Sequence, residues 1–220
     1  MSDLRVSICQ QPLVWEDKQA NLNFWKEKLL PLKGKTDLIV LPEMFTTGFT
    51  MNVNQLAESM DGPTVAWIRD LSETLGATIT GSAIIKEQCG GSGSSNKYFN
   101  RMLWAKPNRD FTWYDKRHRF SFAGEDQFFT AGNHQKIVED SGWKLMLQVC
   151  YDLRFPVFSR NTKQNRYDVL VYVANWPAAR SSAWRSLLVA RAHENQCYVV
   201  SVNRVGKDGN GIEYDGSSLI

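Results

Sequence analysis

The 220-residue chain has few cysteines, little net charge and no long apolar run. Its four cysteines are widely spaced without a Cys-x-x-Cys pair, which argues against a disulfide framework or a zinc site, so no metal is expected. A net charge of +3 is too small to favour nucleic acid as a partner. No stretch approaches the ~18 consecutive apolar residues of a membrane helix, and no apolar signal segment follows Met1. We therefore expect a cytoplasmic protein that binds neither nucleic acid nor membrane.

The composition, 43% hydrophobic and 22% charged, is typical of a globular protein with a sizeable core. Its length suits one domain over residues 1–220. Strand and helix patterns alternate, with consecutive strands in the middle, which predicts an α/β fold with a mixed sheet. The predicted strands are 4–8, 38–41, 77–85, 98–105, 111–114, 143–149, 169–174 and 198–202, and the predicted helices are 19–32, 63–75, 156–165 and 181–195.

Three further local features have specific interpretations. Gly76 is expected to end the helix that Pro63 begins, and Ser181 is expected to cap the last helix. The glycine- and serine-rich stretch 90–95 lacks the Gly-Lys-Ser/Thr ending of a phosphate-binding loop. We interpret it as the connection of a hairpin.

Three predicted strands end in a reactive side chain followed by a turn. Glu43 follows strand 38–41, Lys116 follows strand 111–114, and Cys150 follows strand 143–149. In open α/β sheets, ligands bind at the carboxyl ends of strands, so these side chains could converge on one pocket.

A carboxylate, an ammonium and a thiol together suit acyl transfer. A free thiol has a pKa near ~8.5 and is mostly protonated at neutral pH, so a neighbouring carboxylate is needed to remove its proton. A fixed Lys⁺ and the backbone N–H groups after the cysteine can stabilise the oxyanion that forms when the thiolate attacks a carbonyl. Such a site forms a thioester and releases ammonia or an amine without metal or organic cofactor.

Taken singly, each residue also has a structural interpretation. A cysteine after an apolar strand is usually a small buried hydrophobe, as we interpret Cys9 and Cys197. Glu43 after Leu-Pro could be a turn residue, and Lys116 could belong to a solvated basic turn. Spacing alone leaves both interpretations open.

The motifs around these residues carry more information. Leu-Pro-Glu-Met-Phe at 41–45, Asp-Lys-Arg-His at 115–118 and Val-Cys-Tyr-Asp-Leu-Arg-Phe-Pro at 149–156 resemble, in this order, the three catalytic motifs of the nitrilase superfamily. Similarity continues through 174–177, 191–196 and 203–206 and covers nearly the whole chain. The resemblance implies a four-layer αββα sandwich. It also implies that Glu43 is the general base, Lys116 the oxyanion stabiliser and Cys150 the nucleophile. Glu125 matches the superfamily's second glutamate, with Asp126 as the neighbouring alternative.

Within the superfamily the chain resembles the bacterial omega-amidases. This implies hydrolysis of the terminal amide of a 2-oxo dicarboxylic acid monoamide, such as 2-oxoglutaramate, to the diacid and ammonia. Arg154 is predicted to bind the substrate's carboxylate, since a guanidinium can hold it through two parallel hydrogen bonds. Alternatively, Arg154 pairs with Asp152 or another acid and only shapes the loop. Tyr151 and Trp176 are predicted to contact the substrate, Trp176 as an apolar wall.

Other functions stay open at this point. The same triad would serve an aliphatic amidase, a carbamoylase or a nitrilase. A Cys–His hydrolase would use His118, His134 or His193 as its base. A binding protein on an inactive hydrolase fold is a third alternative. Superfamily members continue past the segment that matches 216–220, so the resemblance implies that a C-terminal part of the fold is missing here. It also implies a homodimer.

Overall fold

Eleven strands and five α-helices are present in residues 3–88 and 96–220, which the computed structural model describes. The predicted hairpin connection at 90–95 lies outside these residues. The strands are β1 Val6–Ile8, β2 Leu38–Val40, β3 Thr78–Glu87, β4 Lys97–Ala105, β5 Phe111–Asp115, β6 Ile137–Asp140, β7 Trp143–Val149, β8 Val169–Ala174, β9 Tyr198–Asn203, β10 Val205–Lys207 and β11 Glu213–Asp215. The helices are α1 Lys18–Leu29, α2 Val53–Leu56, α3 Pro63–Leu75, α4 Glu125–Phe128 and α5 Ser181–Asn195, and 3-10 helices occupy Leu30–Leu32, Ser121–Ala123, Cys150–Arg154 and Ala178–Arg180.

The strands form two mixed sheets and a separate hairpin of β10 and β11. The strand pattern predicts a mixed sheet, and the family resemblance predicts two of them in a sandwich. The first sheet has the order β1-β2-β3-β4-β5. Strands β1, β2 and β3 run parallel, β4 runs antiparallel to β3, and β5 runs antiparallel to β4. The second sheet has the order β6-β7-β8-β9, in which β7, β8 and β9 are parallel and β6 is antiparallel. Strands β2 and β5 therefore run in the same direction, as do β7 and β8, so each pair ends at one edge of its sheet.

The alternation of side chains along β2 explains how the layers stack. Leu38 and Val40 belong to the core between the two sheets, whereas Ile39 and Leu41 belong to the core under α1 and α3. Helix α5 covers the other side of the second sheet. The order of layers is helices, sheet, sheet, helix, so the expected αββα sandwich is confirmed.

Helix α3 ends as the sequence predicts. Gly76 adopts φ 66°, and its N–H group donates to the carbonyl groups of Ser72 and Glu73. Residues Val65, Ile68, Leu71 and Leu75 form its buried face.

Two local predictions are wrong. The segment 156–165 forms turns and bends rather than a helix, because the side chain of Asn161 bonds the backbone of Tyr167 and Asn195 in place of a helical ladder. Ser181 does not cap α5: it is the first helical residue, and its hydroxyl donates to the carboxylate of Asp215.

Candidate active site

The two sheets each contribute strand ends to one buried site. Glu43 follows β2 and Lys116 follows β5 in the first sheet, whereas Cys150 follows β7 and Asn175 follows β8 in the second. All four side chains are buried. The structure therefore brings together the three side chains that the sequence singles out.

Lys116 lies between two carboxylates. Its Nζ is 2.9 Å from Oε1 of Glu43 and 2.8 Å from Oε2 of Glu125, and only 1% of its side chain is exposed. Glu125 is the first residue of α4 and is fully buried, while its neighbour Asp126 is exposed. Of the two acids that the sequence leaves open, Glu125 is thus the one that contacts the lysine.

The backbone around Lys116 is fixed by a close approach of two segments. The N–H group of Gly132 donates to the carbonyl of Lys116 over 2.9 Å. A Cβ atom at Gly132 would lie 2.0 Å from the carbonyl oxygen of Asp115, so only glycine fits there.

Two asparagines complete the contacts of the carboxylates. Nδ2 of Asn100, in the middle of β4, donates to Oε1 of Glu43 over 2.8 Å and to Oε1 of Glu125 over 3.1 Å. The N–H group of Asn175 donates to Oε2 of Glu43 over 2.8 Å, and its Nδ2 donates to the carbonyl of Glu43 over 2.6 Å. Both oxygens of Glu43 therefore accept hydrogen bonds from fixed donors.

Cys150 begins the 3-10 helix Cys150–Arg154 with φ 47°, in the left-handed region that non-glycine residues rarely adopt. The following turn is held by Asp152, whose Oδ2 accepts from the N–H of Val149 over 2.9 Å and from the hydroxyl of Tyr114 over 2.7 Å. Sγ of Cys150 lies 3.9 Å from the carbonyl oxygen of Asn175. A buried carboxylate thus holds the turn that follows the strained backbone of Cys150.

Burial and charge set the protonation states in the site. Burial by itself would lower the pKa of Lys116, but Glu125 and Glu43 outweigh burial and hold that pKa above its ordinary value. Burial and the charge of Glu43 raise the pKa of the Cys150 thiol well above its ordinary value, and Lys116 offsets this only in part. Burial also raises the pKa of Glu125. The resting site therefore contains a neutral thiol beside an ammonium ion.

A cavity of about 330 Å³ opens above Cys150 and Lys116. Tyr151, Arg154 and Trp176, the three predicted contacts of the substrate, all line it. The remaining lining residues are Phe49, Met51, Phe120, Phe122, Ala123, Asn175, Pro177, Arg180, Asp208, Asn210, Ile212 and Tyr214.

Arg154 does not pair with Asp152, which instead accepts from Tyr114, Val149 and His118. Cζ of Arg154 lies 5.2 Å from the centre of the Trp176 ring, and no described carboxylate pairs with it. The guanidinium is exposed at the cavity and free to bind a ligand.

The histidines lie elsewhere. Within 3–88 and 96–220, none of them lines the cavity. Nδ1 of His118 lies 2.8 Å from Oδ1 of Asp152, and its ring stacks on Phe155 with centres 3.7 Å apart. His134 and His193 line other surface depressions. The geometry thus offers Glu43, and no described histidine, as the base beside Cys150.

Sequence reasoning missed three residues of the site. Asn175 follows a predicted apolar strand, as Glu43, Lys116 and Cys150 do, so the same signal could have found it. Asn100 lies inside a strand, where no local signal marks it. Arg180 is one of many arginines in the sequence, and only the fold places it at the cavity.

Neither a metal centre nor a membrane-spanning helix is present in residues 3–88 and 96–220. No group of three or more His, Cys, Asp or Glu side chains in this part of the chain could hold a metal ion. Among the helices seen there, none combines the length and apolar character required to cross a membrane.

Comparisons with known proteins agree with this geometry. The sequence profile of the family described as "Carbon-nitrogen hydrolase" matches residues 5–220. The chain is 49% identical to "Omega-amidase YafV" of Yersinia enterocolitica over 100% of its own length and 82% of that relative's. It is 32% identical to the "2-oxoglutaramate amidase" of Bacillus subtilis (strain 168), with 84% of this chain and 69% of the relative covered.

A solved structure is also similar. The protein XC1258 of Xanthomonas campestris, described as a CN-hydrolase superfamily protein with an arsenic adduct in its active site, superposes with a TM-score of 0.93 at 47% identity. The superposition covers 99% of this chain and 82% of the other.

Proposed function

The chain belongs to the carbon–nitrogen hydrolase family, and on this basis we propose that it is an omega-amidase in which Cys150, Glu43 and Lys116 perform the chemistry and Glu125 positions Lys116. It hydrolyses the terminal amide of 2-oxo dicarboxylic acid monoamides of the 2-oxoglutaramate type to the diacid and ammonia. The observation that carries this proposal is the contact of Lys116 with both Glu43 and Glu125 beside a buried cysteine. Above them lies a cavity lined by Arg154, which has no carboxylate partner in residues 3–88 and 96–220.

The first step is attack of Cys150 on the amide carbon. Because the pKa of the thiol is raised, the proton must leave as the C–S bond forms, and Glu43 accepts it. The negative charge that develops on the carbonyl oxygen is stabilised by the ammonium of Lys116 and by the backbone N–H of Tyr151. Because both donors are fixed by the fold before substrate binds, they need no reorganisation during the reaction.

The second step expels ammonia. Glu43 returns its proton to the amide nitrogen, the C–N bond breaks, and the acyl group stays on Cys150 as a thioester. Glu43 then takes a proton from a water molecule that attacks the thioester, and the thiol is regenerated as the acid leaves. Overall one water is consumed, and nucleophile, base and oxyanion donors are all groups of the protein.

Glu125 acts through Lys116. Both of its oxygens accept hydrogen bonds from Nζ, at 3.0 and 2.8 Å, which fixes the direction of the ammonium. The N–H of Phe120 donates to Glu125 over 2.6 Å and holds the carboxylate in turn. We therefore assign Glu125 to positioning Lys116.

Arg154 accounts for the choice of an acidic substrate. It stands at the cavity without a carboxylate partner among the described residues, and its guanidinium lies over the Trp176 ring. A 2-oxo dicarboxylic monoamide has its carboxylate at the end opposite the amide. Binding that end to Arg154 orients the amide toward Cys150, and Tyr151 and Trp176 enclose the carbon chain.

Ammonia release from a substrate panel tests the proposal. The panel contains 2-oxoglutaramate, neutral aliphatic amides, nitriles and N-carbamoyl amino acids. The highest kcat/KM is expected for 2-oxoglutaramate. A clear preference for a nitrile, an N-carbamoyl amino acid or a neutral amide would instead assign the chain to another branch of the family. No release from any compound would favour the inactive binding protein.

We also propose that residues 1–220 form a single domain of a cytoplasmic homodimer. Val157, just after the nucleophile turn, is 82% exposed, and Val189 on α5 is 49% exposed. These two segments are joined by Arg191, whose Nη2 donates to the carbonyl of Leu153 over 2.6 Å. Exposed apolar side chains on these two adjoining segments support docking of a second copy here. Sedimentation of the wild type beside Val157→Asp tests it: a dimer that the substitution dissociates is expected, and a monomeric wild type would contradict it.

A further inference from the structure

A second arginine lines the cavity above Cys150. Arg180 ends the 3-10 helix Ala178–Arg180, between β8 and α5, and its side chain is half-buried. Because this segment follows directly on Asn175 and Trp176, the strand end that supplies contacts to the catalytic site also sets the position of Arg180.

The guanidinium of Arg180 contacts aromatic rings and has no acidic partner in the described parts of the chain. Its Cζ lies 5.4 Å from the centre of the Phe120 ring and 5.3 Å from that of Phe122. In contrast, the buried Arg101 pairs with both Asp115 and Glu87. Aromatic faces stabilise a cation but leave its N–H donors free for another ligand.

The acids near Arg180 are committed to other groups. Asp208 also lines the cavity, but its Oδ1 accepts from the N–H groups of Asn210 and Ile212 and its Oδ2 from the hydroxyl of Tyr214. Asp215 accepts from the hydroxyl of Ser181. The positive charge of Arg180 is therefore left for a ligand in the cavity.

Trp176 connects the two arginines of the cavity. Its Nε1 donates to the carbonyl oxygen of Arg180 over 2.9 Å, and the centre of its ring lies 5.2 Å from Cζ of Arg154. Phe120, which contacts the guanidinium of Arg180, is itself tied to Glu125 through its N–H group. The guanidinium groups of Arg154 and Arg180 thus both contact residues whose positions are fixed relative to the catalytic site.

We infer that Arg180 is a specificity-determining residue which, together with Arg154, binds the adjacent carboxylate and 2-oxo group of the substrate. The inference rests on the proposed omega-amidase function and deepens it. A carboxylate next to a ketone presents three acceptor oxygens, and one guanidinium can take two of them in parallel hydrogen bonds. The second guanidinium takes the third. Since Arg180 is the more buried of the two, its charge is less screened by water.

A set of three amides with the same five-carbon chain tests this inference. They are 2-oxoglutaramate, glutaramate, which lacks the 2-oxo group, and pentanamide, which lacks both the 2-oxo group and the carboxylate. In Arg180→Leu, kcat/KM for 2-oxoglutaramate should fall by about 10- to 100-fold, mostly through KM, as expected for the loss of a charge-assisted hydrogen bond. The value for pentanamide should change by less than about threefold. Arg180→Lys should recover part of the loss.

Binding provides a readout independent of turnover. Calorimetric titration of 2-oxoglutarate into Cys150→Ala and into Cys150→Ala/Arg180→Leu should give a dissociation constant at least about tenfold weaker in the double variant. Arg166→Leu is the matched control, because Arg166 is exposed and does not line the cavity. It should leave all values unchanged.

The outcomes separate the two proposals. If the wild type prefers 2-oxoglutaramate to pentanamide and Arg180→Leu keeps that preference and the affinity for 2-oxoglutarate, the role of Arg180 is wrong and the omega-amidase function stands. Equal losses on all three amides also overturn it, because Arg180 then only supports the fold. If the wild type itself shows no preference for 2-oxoglutaramate, the proposed function fails.

Discussion

The backbone N–H of Asn175 donates to Oε2 of Glu43 over 2.8 Å, although the two residues are 132 positions apart in the chain. The side chain of Asn175 adds a second bond to the carbonyl of Glu43. Glu43 follows a strand of the first sheet, whereas Asn175 and Cys150 follow strands of the second. The contact of Glu43 with Asn175 therefore helps to hold the proposed base beside the proposed nucleophile, Cys150. Its geometry depends on how the two sheets pack.

Asn175→Ala should lower kcat more than it raises KM. The substitution removes the bond from Nδ2 to Glu43 and leaves a buried carbonyl unpaired, so Glu43 loses its fixed direction. A fall in kcat of about tenfold or more is expected, with steady-state kinetics on 2-oxoglutaramate as the measurement. Asn195→Ala serves as control, since Asn195 is equally buried but bonds the loop at Asn161. Comparable kinetic losses in both variants would mean that the effect is one of stability.

Cys150→Ala should abolish turnover while the thermal unfolding midpoint changes little. Sγ lies 3.9 Å from the carbonyl oxygen of Asn175, a weak contact, and the substitution removes a single atom, so the packing changes little. Iodoacetamide, itself a small amide, should label Cys150 in the wild type before Cys9 or Cys197, as read by peptide mass spectrometry. Retained turnover in Cys150→Ala would refute the mechanism, and faster labelling of Cys9 would contradict the special reactivity of the site.

Lys116→Ala should reduce kcat by about 100- to 1,000-fold, the usual effect of losing one oxyanion donor. It should also lower the free energy of unfolding by about 3–5 kcal/mol, because Glu43 and Glu125 then remain buried without their cation. Kinetics and urea unfolding measure the two effects. Lys144→Ala, in which the lost side chain is exposed, is the control. If Lys116→Ala changes KM alone, Lys116 is not an oxyanion donor.

Arg154→Leu should lose activity on 2-oxoglutaramate and keep most of its activity on pentanamide, because only the former has a carboxylate for the guanidinium. A loss of about tenfold or more in kcat/KM is expected for one charge-assisted bond. Arg160→Leu, a change of an exposed arginine outside the cavity, should have no effect on either substrate. Parallel losses on both amides would show that Arg154 only shapes the turn.

The alkylation rate of Cys150 should still be rising at pH 9. Burial and the charge of Glu43 raise the pKa of its thiol well above the ordinary value, and the rate follows the thiolate fraction, which grows with pH until the pKa is passed. The rate is measured between pH 6 and 10 by mass spectrometry of the Cys150 peptide. A plateau below pH 8 would indicate a thiolate formed before substrate binds.

Much of this protein follows from its sequence. The continuous apolar run 38–41 predicts a buried strand, and the helical spacing from Val65 to Leu75 predicts a helix with one buried face. The structure contains both elements. The residues Glu43, Lys116 and Cys150 are marked by their position after apolar strands and by the motifs around them. The prediction of a helix at 156–165 is wrong. The side chain of Asn161 bonds the backbone of Tyr167 and Asn195, and such bonds leave no local pattern in the sequence.

Other features were decided only by the tertiary structure. Glu125 rather than Asp126 meets Lys116 because the turn before α4 buries the first acid and exposes the second. Asn100 reaches both carboxylates from the middle of a strand, and Arg180 reaches the cavity from a short 3-10 helix. The physical reason is the same in each case: these contacts cross between elements far apart in sequence, and only sheet packing fixes which side chains share the enclosed space.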